Sequence, residues 1–165
     1  MDPQTLIAVL DFSHARLLGI ISTIEKSGQG VNKVLAWRPG PGRAHIGWQL
    51  MHCAATHDRY LNVTMLSGKP KDEAIIAGFA GGSTPSDTNV PTMDAIKNAL
   101  ESRYADFRAY VGGISSSELL NRKVGPAGKE RTLGEAITLL GWHEAHHQGQ
   151  VHLTWNLYKA AHGIA

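Results

Sequence analysis

The 165-residue sequence predicts an all-α protein, a four-helix bundle, on three observations. Leu, Ile and aromatic residues recur at three- and four-residue intervals in four long segments. Runs rich in Gly, Pro and Ser separate those segments. No strand-like alternation competes with the helical period. Amphipathic segments of this kind bury their apolar stripes against one another, here in a single domain spanning residues 1–165.

The first segment opens at Asp2-Pro3, an N-cap residue followed by a proline that fits the first helical position. Leu6, Leu10, Leu17, Ile21 and Ile24 follow at helical spacing, and Ser27-Gly28-Gln29-Gly30 ends the run. Pro39-Gly40-Pro41-Gly42 then breaks the chain ahead of a second helix over 43–66, closed by Ser67-Gly68. A long connection from Lys69 to Pro91 contains Gly81-Gly82 and room for a short helix over 71–80. Loops of that length are uncommon and often functional. Thr92 caps a third helix whose stripe is Met93, Ile96, Leu100, Tyr104, Phe107 and Val111, stopped by Gly112-Gly113. A brief helical turn over 117–120 and a break at 125–128 come next. Thr132 and Glu135 have the spacing of a capping box, opening a fourth helix that reaches about His162.

Composition narrows the functional classes. A formal net charge of +2, with Lys and Arg scattered, argues against a nucleic-acid partner or a membrane surface. No apolar run looks long enough to span a bilayer, and the acidic N-terminus does not resemble a signal peptide. The lone cysteine, Cys53, cannot form an internal disulfide, which fits a cytoplasmic setting. Beside His52 in sequence, it reads as a small buried hydrophobe, not a nucleophile. Five of the nine histidines fall between His143 and His162. Imidazole is the commonest metal ligand, so that clustering carries the functional argument.

A helix turns about 100° per residue, which puts His143 and His147 one turn apart on one face. Ala136, Leu140, Val151, Thr154 and Tyr158 share that face, so both imidazoles point toward the core. His146 lies on the flank and His152 on the opposite side; both read as surface or boundary residues. His162 sits at the helix end, where a cation suits the macrodipole. Catalytic metal sites commonly use three protein ligands. The best third candidate is His52, at the centre of the second helix between Trp48 and Thr56, with His45 next. Spacing alone leaves two readings open: ligands to one ion, or buried histidines held by hydrogen bonds.

His143-Glu144-Ala145-His146-His147 also matches H-E-x-x-H, in which the Glu activates zinc-bound water in metalloproteases. The rest of that pattern is missing. No Glu follows Glu144, and Gly149 and His152 each arrive one residue early for the extended form. A zinc protease is therefore the weaker alternative. Glu144 reads as a surface residue or as a partner that orients a ligand.

The run His143-Glu-Ala-His-His147-Gln-Gly-Gln150, with Trp48-Gln-Leu-Met-His52 upstream, resembles the DinB-like (YfiT-like) metalloenzymes. The resemblance covers nearly the whole chain. It implies a four-helix bundle with a three-histidine site, here His52, His143 and His147, holding zinc or nickel, with iron or manganese as further options. It implies an enzyme that activates a water or a low-molecular-weight thiol for transfer or hydrolysis, acting on a small molecule. A non-catalytic metal-binding stress-response protein is the alternative. Many relatives are dimers, so a homodimer is expected. Gly149 and Gln150 match the family's Gly-Gln pair, which implies close packing at Gly149 and a hydrogen bond from Gln150 toward a ligand.

Overall fold

The computed structural model describes residues 2–164. Four long helices form a closed ring: α1 (Pro3–Lys26) packs on α7 (Leu133–Ala161), α7 on α3 (Ile46–Asp58), α3 on α5 (Met93–Gly112), and α5 back on α1. Short helices α2 (Val31–Ala36), α4 (Glu73–Phe79) and α6 (Ser116–Asn121) lie in the connections. Strands β1 (Lys123–Val124) and β2 (Arg131–Thr132) pair antiparallel as a small hairpin ahead of α7. The helices start where the caps place them. Asp2, Thr92 and Thr132 each accept a backbone N–H of the first turn, and Thr132 with Glu135 closes the full capping box. Each such cap stabilises its helix by about 1 kcal/mol.

The second predicted helix has two parts. It is α-helical through Asp58 and then widens into a π-helical stretch, Arg59–Met65, where the Leu66 N–H reaches Leu61 O five residues back. The stretch is anchored by Asp58, which is 1% exposed and accepts from Asn62, Lys71 N and Asp72 N. π-Helical turns are rare and concentrate at functional sites. The hairpin, helix α2 and the Ser115–Glu118 capping box of α6 lay outside the sequence reading. Each rests on two to six residues, too few to show a period.

One helix does reach membrane-spanning length and apolarity. Over its most apolar 18-residue window α1 has a mean hydropathy of 1.4, contrary to the expectation that no run would qualify. Its nine buried residues, among them Leu10, Leu17, Ile21 and Ile24, form part of the bundle interior.

The core divides into two apolar clusters. One gathers Leu17, Ile21, Leu50, Ile96, Leu100 and Val151; the other gathers Leu6, Leu10, Leu61, Phe107, Ile137 and Leu140. Between them every long helix places polar side chains at the same level: Ser13 and His14 on α1, Thr56, His57 and Asp58 on α3, Arg103 on α5, Glu144 and His147 on α7. Burying polar groups costs free energy unless each finds a partner. This layer is where a bundle built only for stability would have placed leucines.

Candidate metal centre

His52 comes from the middle of α3, and His143 and His147 from the middle of α7, where the two helices pack together. The one-turn spacing brings the α7 pair together edge-on, with ring centroids 4.5 Å apart and planes at 61°. The His52 ring lies 4.9 Å from that of His143 and 4.7 Å from that of His147. One ligand nitrogen from each ring falls within 4.8 Å of the others. His52 and His147 are buried and His143 is half-buried. The structure thus brings together the three residues singled out from the sequence.

Surrounding groups set the orientation of His52. Its Nδ1 lies 2.6 Å from Phe79 O. A carbonyl only accepts, so Nδ1 carries the proton and Nε2 presents its lone pair. Trp48 stacks on the same ring, centroids 4.7 Å apart and planes within 9°. Such a fixed tautomer is what an ordered metal ligand requires. The Nε2 atoms of His52 and His143 are 3.0 Å apart. Two ring nitrogens that close need a proton or a cation between them. His147 Nδ1 is buried with no hydrogen-bond partner among the described residues. Three nitrogens bound tetrahedrally to zinc at 2.0–2.1 Å would lie about 3.4 Å apart, so small ring movements suffice.

Burial, together with crowding by the neighbouring imidazoles, pushes His143 down to about 3 and His147 down to about 4. Burial also lowers His52, partly offset by its bond to Phe79 O. The triad is therefore neutral at pH 7, the form that ligates a metal. Beside it opens a cavity of about 450 Å³, lined by His52 and His143 with Thr56, Tyr60, Ala80 and Gly81. The Lys69–Pro91 connection thus supplies one wall, through the residues that follow α4.

Other candidates fall elsewhere. His45 caps α3, accepting from Trp48 N at 2.9 Å, with its Nε2 3.2 Å from Ser86 O. His146 and His152 are exposed. Gln150 lies 2.9 Å from His146 Nε2 and also acts on His147, where its side-chain hydrogen bond offsets part of the downward shift; a Cβ at exposed Gly149 would meet nothing within 4 Å. Gly149 lacks the close packing implied by the Gly-Gln pair, while Gln150 keeps a hydrogen bond toward a triad histidine. Cys53 is buried, and burial pushes its thiol well up, as a small hydrophobe behaves.

Glu144 is neither a surface residue nor a partner of a ligand. It is 0% exposed, and its Oε1 lies 2.8 Å from Nδ1 of His14 on α1. The neighbouring helix position, about 100° round, turns it toward α1 while His143 faces α3. The H-E-x-x-H match therefore has no general base at the triad. His14 was missed, although it sits on the Leu10–Leu17 stripe at helical spacing. It stacks on Tyr104 at 3.8 Å, and the Tyr104 hydroxyl donates to Asp11 at 2.6 Å. His57 is also buried, stacked on Phe107, with Nδ1 unpartnered among the described residues.

With the bundle and triad in place, comparison with known proteins decides the family. The DinB superfamily sequence profile matches residues 32–151. The chain belongs to the DinB superfamily. A crystal structure titled as a conserved protein of a locus from Enterococcus faecalis shares the fold at a TM-score of 0.75 and 16% identity, over 95% of this chain and 97% of that one. No curated protein sequence matches this DinB-superfamily chain.

Proposed function

We propose that this protein is a metal-dependent enzyme in which His52, His143 and His147 hold one divalent ion, zinc or nickel ahead of iron or manganese. The observation that carries the reading is the convergence of three neutral imidazoles within 4.8 Å, beside a cavity of about 450 Å³. When bound, such an ion supplies Lewis-acid chemistry and lowers the pKa of a water or thiol that joins its ligands. The chain's own residues do the rest. Phe79 O and Trp48 hold the His52 ring in one tautomer and one plane. The triad stays unprotonated, and the cavity admits a small molecule next to His52 and His143. We read the reaction as transfer of a low-molecular-weight thiol, or hydrolysis.

Elemental analysis of protein purified without added metal should find about one ion per chain. His147→Ala should lose that ion and keep its helical circular dichroism; His152→Ala, exposed on the far side, should keep both. A wild type that carries no stoichiometric ion and titrates none would end this reading. A screen of thiols with electrophiles, run with and without chelator, then separates an enzyme from a metal-binding protein that is catalytically inert.

A homodimer belongs to the same reading. Val9 and Phe12 on α1 are 52% and 69% exposed, and Trp142 on α7 is 58% exposed. A Cβ at Gly141, next to Trp142 in sequence, would lie 3.6 Å from Val9, so α1 and α7 pack closely at this level. A grouped apolar surface of this kind fits an interface between two copies.

A further inference from the structure

We propose that the cavity beside the histidine triad binds a small molecule carrying at least two negative charges. The inference rests on the metal reading only in assuming that this cavity is the substrate site. Besides His52 and His143, the walls carry three cations: Arg59, at the start of the π-helical stretch, and Lys129 and Arg131, from the hairpin. No Asp or Glu side chain lines the cavity. Among the described residues none of the three makes an ion pair, whereas Arg38, Arg103 and Arg108 are matched with Asp87, Asp58 and Asp11.

Separate elements bring these charges together. Arg131 pairs with Val124 in the hairpin ladder, and the Leu133 N–H donates to Arg122 O at 2.8 Å. The Arg122 guanidinium donates to Met65 O at the end of the π-helical stretch, which ties the hairpin to the element carrying Arg59. Gly125 turns the hairpin at φ +110°, where a Cβ would press on Lys129 O at 3.4 Å. Like charges gathered round one concavity repel one another and raise the local concentration of anions. Arg131 also acts on Glu135 outside the cavity, but Arg59 and Lys129 face it unmatched, so a single negative charge would leave one of them uncompensated. A dianion or a more highly charged group meets that field. Arg suits planar oxyanions through paired N–H donors, and carboxylate and phosphate both qualify.

The test is calorimetric titration of the full chain, zinc-loaded and after dialysis against chelator, with succinate, glycerol 3-phosphate and the neutral comparator succinamide at low salt. At least one dianion should bind and succinamide should not. Arg131→Gln and Lys129→Gln, both at exposed positions, should each weaken that binding about tenfold. Preference for succinate assigns a carboxylate ligand; preference for glycerol 3-phosphate assigns a phosphate ligand. Dianions that bind no better than succinamide, or variants that keep full affinity, overturn the proposal. Stoichiometric zinc without anion binding refutes this inference alone. Anion binding that persists in a protein unable to load metal refutes the metal reading alone.

Discussion

His14→Ala is the sharpest probe of the buried polar layer. The substitution leaves the buried Glu144 with neither side-chain oxygen partnered, because Oε2 has no hydrogen-bond partner among the described residues. Taking the partner from a buried hydrogen-bonded group costs about 1–3 kcal/mol, through the group left behind. A 165-residue domain unfolds with an entropy near 0.35 kcal/mol/K. The expected fall in Tm is therefore about 3–9 °C. Differential scanning calorimetry on chelated protein reads it directly. His14→Phe keeps an aromatic ring against Tyr104 and should lose nearly as much, which assigns the cost to the pair and not to lost stacking. The double variant His14→Phe/Glu144→Leu removes both polar groups at similar volume and should regain most of the loss. If His14→Ala melts within about 3 °C of the wild type, or the double variant is no better than the single ones, the layer is not held by this pair.

Three further outcomes follow from the geometry. Burial and crowding depress His143 to about 3 and His147 to about 4 in the folded chain, against about 6.5 unfolded. The unfolded chain therefore binds more protons in acid, so stability is complete above pH 6.5 and falls as pH drops toward 4. After discounting residual exposure, each histidine contributes roughly 1 kcal/mol or less per pH unit. Urea midpoints of chelated protein at pH 7.5 and 5 check this, and equal midpoints would refute it. Cys53, 1% exposed with its thiol pushed up by burial, should resist alkylation in native protein and react fully in denaturant; fast native labelling would show an open site. Phe12→Glu should turn a dimer into a monomer by light scattering without altering metal content, and an unchanged mass would place the interface elsewhere.

The sequence made the four long helices legible because each is marked twice, by a periodic stripe and by a cap or breaker. Asp2, Thr92 and Thr132 fix three starts in side-chain chemistry. His143 and His147 were legible for the same reason, since helical spacing converts directly into a shared face. His52 could only be ranked against His45 until the structure showed His45 occupied as a cap. What escaped needs tertiary information. Arg59 and Arg131 lie 72 positions apart and meet only because the hairpin folds back against the π-helical stretch. Glu144 escaped in another way: the motif match drew attention to its neighbours, while its own environment depends on which face of α7 meets α1. The Leu10–His14–Leu17 stripe itself places a histidine in the core, where it needs a buried partner.

The two sides of α7 make different demands, and one stretch of sequence meets both. At positions 143 and 147 the helix offers imidazoles to α3; at position 144, about a quarter-turn round, it offers a carboxylate to His14 on α1. Four-helix bundles need none of this for stability, since leucines at the same level would remove every desolvation cost. The layer nevertheless crosses all four long helices, lying between the two apolar clusters. A ligand set of two imidazoles on one rod and one on another keeps its geometry only if the rods neither rotate nor slide. An apolar core resists separation of helices strongly and rotation weakly, because one aliphatic contact replaces another at small cost. A buried hydrogen bond between His14 and Glu144 has no such substitute: turning α7 breaks it. On this argument the pair sets the rotation of α7, and His14→Phe/Glu144→Leu, stable though it should be, would bind zinc less tightly than the wild type. Equal zinc affinity in the two proteins would refute it.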